Sequence, residues 1–195
     1  MKHFFYFIIF SGLALVMGLG SANYMIADGF ALIVSRGGPW QAWVNAGSHA
    51  ADPYTRAHIA MTGQLPITSA SGLTYFAERD EDGRTLSSDC EYEIIARPFK
   101  AVWWTIAAFD EDGNLISNKA NRHAFSSQSL TILPDGTQRI TLAPQARPGY
   151  WLPSGEDKYI TLVLRIIRPL AVEGNEVDAQ KDHAGSLPQI RRTAC

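Results

Sequence analysis

Tyr159-Ile160-Thr161-Leu162-Val163-Leu164-Arg165-Ile166-Ile167 alternates with a period of two. In an extended chain, successive side chains point to opposite faces. Ile160, Leu162, Leu164 and Ile166 therefore make one wholly apolar face, and a face of that kind belongs in a core. Tyr159, Thr161, Val163, Arg165 and Ile167 share the other. Arg165 sits there among apolar neighbours, which predicts a partner for its guanidinium, because an unpaired buried charge is expensive.

The same period runs outward through residues 74–79, 91–96, 102–109, 130–133 and 139–142. Turn signals separate these stretches. Asp80-Glu81-Asp82-Gly83, Asp110-Glu111-Asp112-Gly113 and Asp135-Gly136 each carry Asp-Gly, the pair favoured where hairpins need positive φ. Pro98, Pro144, Pro148, Pro153 and Pro169 punctuate the rest. Upstream, a turn at residues 36–39 precedes Trp40 and Trp43. Asp52-Pro53 then supplies an N-cap and a first-turn proline for a short helix over 54–61, stopped by Gly63. The expected architecture is mainly β: an antiparallel β-sandwich or jelly-roll-like domain with one short helix, covering residues 36–170.

Residues 4–27 carry no charge and follow Lys2 and His3. As a helix they would span roughly 36 Å, enough to cross a ~30 Å hydrocarbon core. The helix is expected to run on to about residue 35, because 30–34 is apolar as well. Lys2 and His3 before the segment and Asp28 after it place the N-terminus in the cytoplasm. The expectation is a single-pass protein of the cytoplasmic (inner) membrane with its domain outside. The alternative is a secreted protein cleaved near Ala22, with Gly20 and Ala22 as the small residues before the cut.

Between anchor and tail lie about 135 residues, the size of one domain with its own core. Net charge is −2, with both signs interspersed, so nucleic acid is not an expected partner. The two cysteines, Cys90 and Cys195, are too few for a disulfide scaffold. Cys90 reads as a small core residue beside a strand, and Cys195 ends a polar stretch. Residues 173–195 are expected to be a disordered tail, with Arg191 and Arg192 as solvated charges.

Neither Asp-Glu-Asp-Gly stretch fits a calcium loop: six residues beyond the glycines stand Asp89 and Lys119, not Glu. His49, His58, His123 and His183 are scattered, and there is no Gly-x-Ser-x-Gly elbow or phosphate-binding glycine loop. No cofactor or metal site is expected. What stands out is an arginine and aromatic set. Arg56 lies on the short helix, Trp103 and Trp104 on opposite faces of one strand, Arg122 after a turn, and Trp151 in a proline-rich loop. These arginines either tie loops to the domain through Asp52 or Asp110, or serve a groove in which Trp rings stack a ligand and Arg forks hold its oxygens. Arg56, Trp104, Arg122 and Trp151 are the candidate binding residues, with Trp104, Arg122 and Trp151 expected in one cleft. Asp110 with His123 is the candidate catalytic pair of the alternative, an envelope hydrolase assembled from separate loops.

The order Asp52-Pro53-Tyr54-Thr55-Arg56-Ala57, Asp80-x-Asp82-Gly83, Trp103-Trp104, Asp110-x-x-Gly113, Asn121-Arg122, Asp135-Gly136, Trp151-Leu152-Pro153 and Leu164-Arg165-x-x-x-Pro169 resembles the bacterial domain-of-unknown-function family DUF1214. The resemblance covers about residues 36–170 and matches at Arg56, Asp80, Gly83, Trp104, Asp110, Arg122, Trp151, Pro153 and Arg165. Tyr150 and Ile167 depart from the family pattern, where Asn and an aromatic are usual. It implies a mostly antiparallel β fold and an envelope location, and it assigns no reaction. Family members often carry a companion domain, DUF1254, so a separate DUF1254-type subunit is an expected partner. The leading expectation is a membrane-anchored module that binds a ligand or a protein.

Overall fold

The structure, a computed structural model of the 195-residue chain, describes residues 2–30, 33–64, 66–68, 71–99, 101–156, 158–169 and 186–195. Lys2–Ala27 forms one helix, α1, with no buried residue, and it is long and apolar enough to cross a membrane. It does not run on to residue 35. Gly29 turns the chain with φ of 69°, and a Cβ there would lie 2.2 Å from Val34 Cγ2. Val34 is buried and begins the first strand, so the end of the apolar run packs the domain rather than lengthening the helix.

β1 (Val34–Gly37) and β2 (Trp40–Trp43) form a hairpin, followed by α2 (Pro53–Thr62) and β3 (Gly72–Ala77). β4 (Glu91–Ala96), β5 (Ala101–Phe109), β6 (Ala124–Ser126) and β7 (Gln138–Ala143) come next. β8 (Trp151–Pro153), β9 (Thr161–Pro169) and β10 (Gln189–Ala194) complete the set. α2 begins as its sequence requires. Asp52 accepts the amides of Tyr54 and Thr55, Pro53 occupies the first turn, and Gly63 ends it with φ of 65°. Among the described residues the fold is mainly β, with two sheets and two helices. One sheet has the order β1-β2-β3-β9-β5-β6 and the other β10-β4-β7-β8.

β9 lies between β3 and β5 and carries the core. Ile160, Leu162, Leu164 and Ile166 join Tyr75, Ile106, Ile94, Ile140, Leu142 and Ile190 in one cluster fed by both sheets. Each such side chain contributes roughly 1.5–3 kcal/mol by leaving water. On the opposite face Arg165 is exposed, beside Thr74 and Thr105. Among the described residues no carboxylate lies within ion-pair distance of Arg165, so the buried pair expected for it is corrected: the residue is exposed, although Val163 on the same face is buried.

Four expectations are corrected by the backbone. Residues 130–133 form no strand; Leu130 is buried, but the chain turns back at once, Leu133 N donating to Thr137 O. β7 and β8 run parallel, so the pairing is not wholly antiparallel. The stretch 189–194 is not a disordered tail: β10 pairs with β4, and Ile190 is fully buried. Residues 173–185 of that expected tail lie outside the described residues. Finally, Cys90 is bonded to Cys195. Pairing of β10 with β4 brings the chain end beside Cys90, a proximity that a sequence separation of 105 hides.

Arg192 is likewise not a solvated charge. Its Nε lies 3.0 Å from Asp80 Oδ2, its Nη2 donates to Thr85 O, and its guanidinium sits over the Tyr92 ring. The turns themselves are as expected. Asp80 Oδ1 accepts the amides of Asp82 and Arg84, and Asp110 Oδ1 those of Asp112 and Asn114.

Candidate functional site

The arginine and aromatic set divides between core and surface. Arg122 and Trp151 meet at one corner: Arg122 Nη1 donates to Trp151 O at 3.0 Å. Its guanidinium carbon lies 5.8 Å from the Trp151 ring and 5.7 Å from the Phe125 ring. Both distances suit attraction between a cation and an aromatic face. Among the described residues no carboxylate lies within ion-pair distance of Arg122.

Asn118 builds the turn that presents this arginine. Its Oδ1 accepts the Arg122 amide at 3.0 Å, and its Nδ2 donates to Arg122 O at 2.9 Å and Ile116 O at 3.1 Å. Asn121 takes φ of 49°, a left-handed conformation that asparagine tolerates. Trp151 is half-buried and fixed at its other edge, its Nε1 donating to Ala143 O at 2.9 Å. Beside it Tyr150 stacks edge-on against Phe125, and its hydroxyl accepts the Thr131 amide. The Thr131 hydroxyl and amide together lower the Tyr150 pKa from its ordinary value. The corner is thus an exposed, immobilised guanidinium framed by rings, and its unused N–H donors suit a carboxylate, phosphate or carbonyl oxygen.

Trp104 is not part of it. The residue is 2% exposed and packs edge-on against Phe99 inside the core, on the side of β5 that it shares with buried Ile106 and Ala108. Arg56 is elsewhere again: it is exposed on α2 and donates to His49 O. The expected three-residue cleft is therefore corrected to the pair Arg122 and Trp151.

Asp110 and His123 do not form a dyad among the described contacts. The carboxylate closes its own turn, whereas His123 Nδ1 faces Ile116 O at 2.9 Å and Nε2 faces Asn121 Oδ1 at 3.1 Å. Among the described residues no group of three or more His, Cys, Asp or Glu is arranged to hold a metal ion. Asn118 and Phe125 were not among the candidates read from the sequence, and Tyr150 entered only as a departure from the family pattern. Phe125 and Tyr150 lie 25 residues apart in the chain and meet only through the fold.

A mainly β domain behind an apolar N-terminal helix, with an arginine framed by rings at one corner, defines the class. The chain belongs to the family described as protein of unknown function (DUF1214), whose model matches residues 71–171. No curated protein matches the sequence. Among solved structures, the VPA0106 protein from Vibrio parahaemolyticus is similar, with a TM-score of 0.59 and 16% identity. That likeness covers 74% of this chain and 36% of the other, so this chain spans about a third of that protein's length. An uncharacterised Burkholderia cenocepacia protein aligns at 19% identity and a TM-score of 0.43, covering 63% of this chain and 29% of its own.

Proposed function

We propose that the protein is a membrane-tethered module that binds through its Arg122–Trp151 corner, with the domain on the outer side of the cytoplasmic membrane. The observation that carries the binding reading is Arg122 itself. It is held in place by two rings, a carbonyl and the Asn118 turn, yet none of these neutralises its charge. A fixed cation with free donors loses little entropy on meeting an anionic or carbonyl-rich surface. The Cys90–Cys195 disulfide supports the outer side, since such bonds persist in oxidising compartments and are rare in the cytosol. The partner this reading calls for is a protein subunit, a separate DUF1254-type chain being the candidate that the family resemblance implied.

The test is made on the full chain extracted from membranes with a tagged companion subunit. Arg122→Ala and Trp151→Ala are each expected to lose the companion while the melting temperature shows that the domain remains folded. Protease added to spheroplasts should digest the domain from outside. Retention of the companion by folded Arg122→Ala sinks the binding reading, and protection of the domain in intact spheroplasts sinks its location.

A further inference from the structure

A recess lies where α1 leaves the domain. It is a groove of about 550 Å³ with three walls. The first is the end of α1, with Tyr24 and Asp28; the second is the β1–β2 hairpin, with Arg36 and Gln41. The third is the chain leaving β3, with Glu78 and Arg79. The helix end is fixed to the domain there, because His58 Nδ1 meets Ile26 O at 2.9 Å and the His58 ring stacks on Trp43 with centroids 4.0 Å apart.

The charges around this groove are of two kinds. Two acids are already matched: buried Asp80 with Arg192 at 3.0 Å and exposed Glu81 with Arg191 at 3.5 Å. Arg36, Arg79, Asp28 and Glu78 are different. Among the described residues none of the four has an ion-pair partner within 4.0 Å. Arg79 spends one donor on Gly83 O and keeps the rest. Two cations and two carboxylates therefore line one recess without neutralising each other. A complementary ligand carries both an anionic oxygen cluster and a cationic group.

The position of the groove points to where such a ligand comes from. From Phe4 to Tyr24 the helix rises ~30 Å, which matches the hydrocarbon core. Lys2 then lies at one headgroup layer and Tyr24 at the other, where tyrosine is favoured. The groove opens at that second layer. Phosphate there would meet Arg36 and Arg79, whose guanidinium forks suit phosphate oxygens. A primary ammonium brings three N–H donors for Asp28 and Glu78, and the negative end of the α1 macrodipole adds attraction. A quaternary ammonium has no N–H to donate, and it is recognised by aromatic cages instead.

We propose that this groove binds the headgroup of an ethanolamine phospholipid, with phosphate on Arg36 and Arg79 and ammonium between Asp28 and Glu78. The site rests on the reading of α1 as a membrane anchor and is separate from the Arg122–Trp151 corner. Its effect is to fix the domain's orientation over the bilayer.

The experiment is native mass spectrometry of the delipidated full-length chain in detergent. Phosphatidylethanolamine, phosphatidylcholine and phosphatidylglycerol with identical acyl chains are titrated one at a time. Phosphatidylethanolamine is expected to bind about tenfold more tightly than the other two. Arg36→Gln should lose that binding. Glu78→Gln should bring phosphatidylethanolamine down to the level of phosphatidylcholine. Both positions are exposed, and an unchanged melting temperature verifies each fold. Equal binding of the three lipids, or full retention by Arg36→Gln, overturns the proposal. Displacement of the lipid by soluble O-phosphoethanolamine at equal concentration overturns the lipid as the source. The same spectra give the intact mass, so loss of residues 1–22, which would refute the anchor, is read separately from loss of lipid, which refutes the site.

Discussion

Arg192 closes onto Asp80: its Nε lies 3.0 Å from an Oδ2 whose side chain has no solvent exposure, across 112 residues of chain. Asp80 spends its other oxygen on its own turn, and Arg84 Nε approaches Oδ2 only at 3.4 Å from a side chain 54% exposed. Arg192 is therefore the main partner of a buried carboxylate, and it is supplied by the strand nearest the chain end. Removing one member of a buried pair typically costs 3–5 kcal/mol. Arg192→Met is expected to cost about 3 kcal/mol in urea denaturation, and Arg84→Met well under 1 kcal/mol, as for exposed pairs. Equal effects of the two variants would refute this ranking.

The disulfide ties the residue just beyond the same strand to Cys90. It closes a loop of 105 residues, and loops of that length are associated with stabilisation of several kcal/mol. Cys195→Ser is expected to lower stability by roughly 2–5 kcal/mol. Reductant should lower the denaturation midpoint of the native chain and leave that of Cys195→Ser alone. A native chain whose midpoint ignores reductant would show the bond to be absent.

Asp135 offers a pH readout. The Thr137 hydroxyl, then the Thr137 amide and Arg139, push its pKa down to about 2. A folded pKa below the unfolded value of ~3.9 means that its contribution is present above about pH 4 and is lost as pH falls toward 2. Carboxyl NMR titration should find Asp135 among the last carboxylates to protonate. Thr137→Val, which removes the largest of these bonds, should raise its midpoint. An unmoved midpoint in that variant would assign the depression to the Thr137 amide and Arg139 instead.

What the sequence revealed of this fold was periodic or local. The alternation of 159–167 located the central strand, and Asp-Gly pairs located turns that the structure contains. The family followed from ordered motifs over the same region. Short strands such as β6 and β8, three residues each, are too brief to display a period, and β10 reads as polar because only Ile190 faces the core. Long-range partners were invisible for a physical reason. Nothing near Cys90 or Asp80 in sequence announces Cys195 or Arg192, since those contacts depend on which strand lies beside β4. The same limit misplaced Trp104: alternation showed that one of Trp103 and Trp104 must face inward, but not which.

The corner and the core tryptophans separate by mutation. Trp104 is 2% exposed and packs on Phe99, so Trp104→Ala is expected to cost about 3–5 kcal/mol, the range for emptying a large aromatic from a core. Trp151 is half-buried, and its ties are a hydrogen bond from Nε1 to Ala143 O and the Arg122 guanidinium over its ring. The first contributes about 0.5–1.5 kcal/mol net, and the second about 0.5–1 kcal/mol at an exposed site. Trp151→Ala should therefore cost roughly 1–3 kcal/mol, clearly less than Trp104→Ala. A double-mutant cycle of Arg122→Ala and Trp151→Ala isolates the contact between them, because residues in direct contact fail to add by their interaction energy. The expected coupling is about 0.5–1 kcal/mol. Phe125→Leu should reduce it no further, since Arg122 reaches that ring independently. Strict additivity of Arg122→Ala and Trp151→Ala would mean that the guanidinium is not held by the ring. Arg122 would then be held by Phe125, the Trp151 carbonyl and the Asn118 turn alone, and the Trp151 ring would have no part in the preorganisation on which the corner's binding role depends.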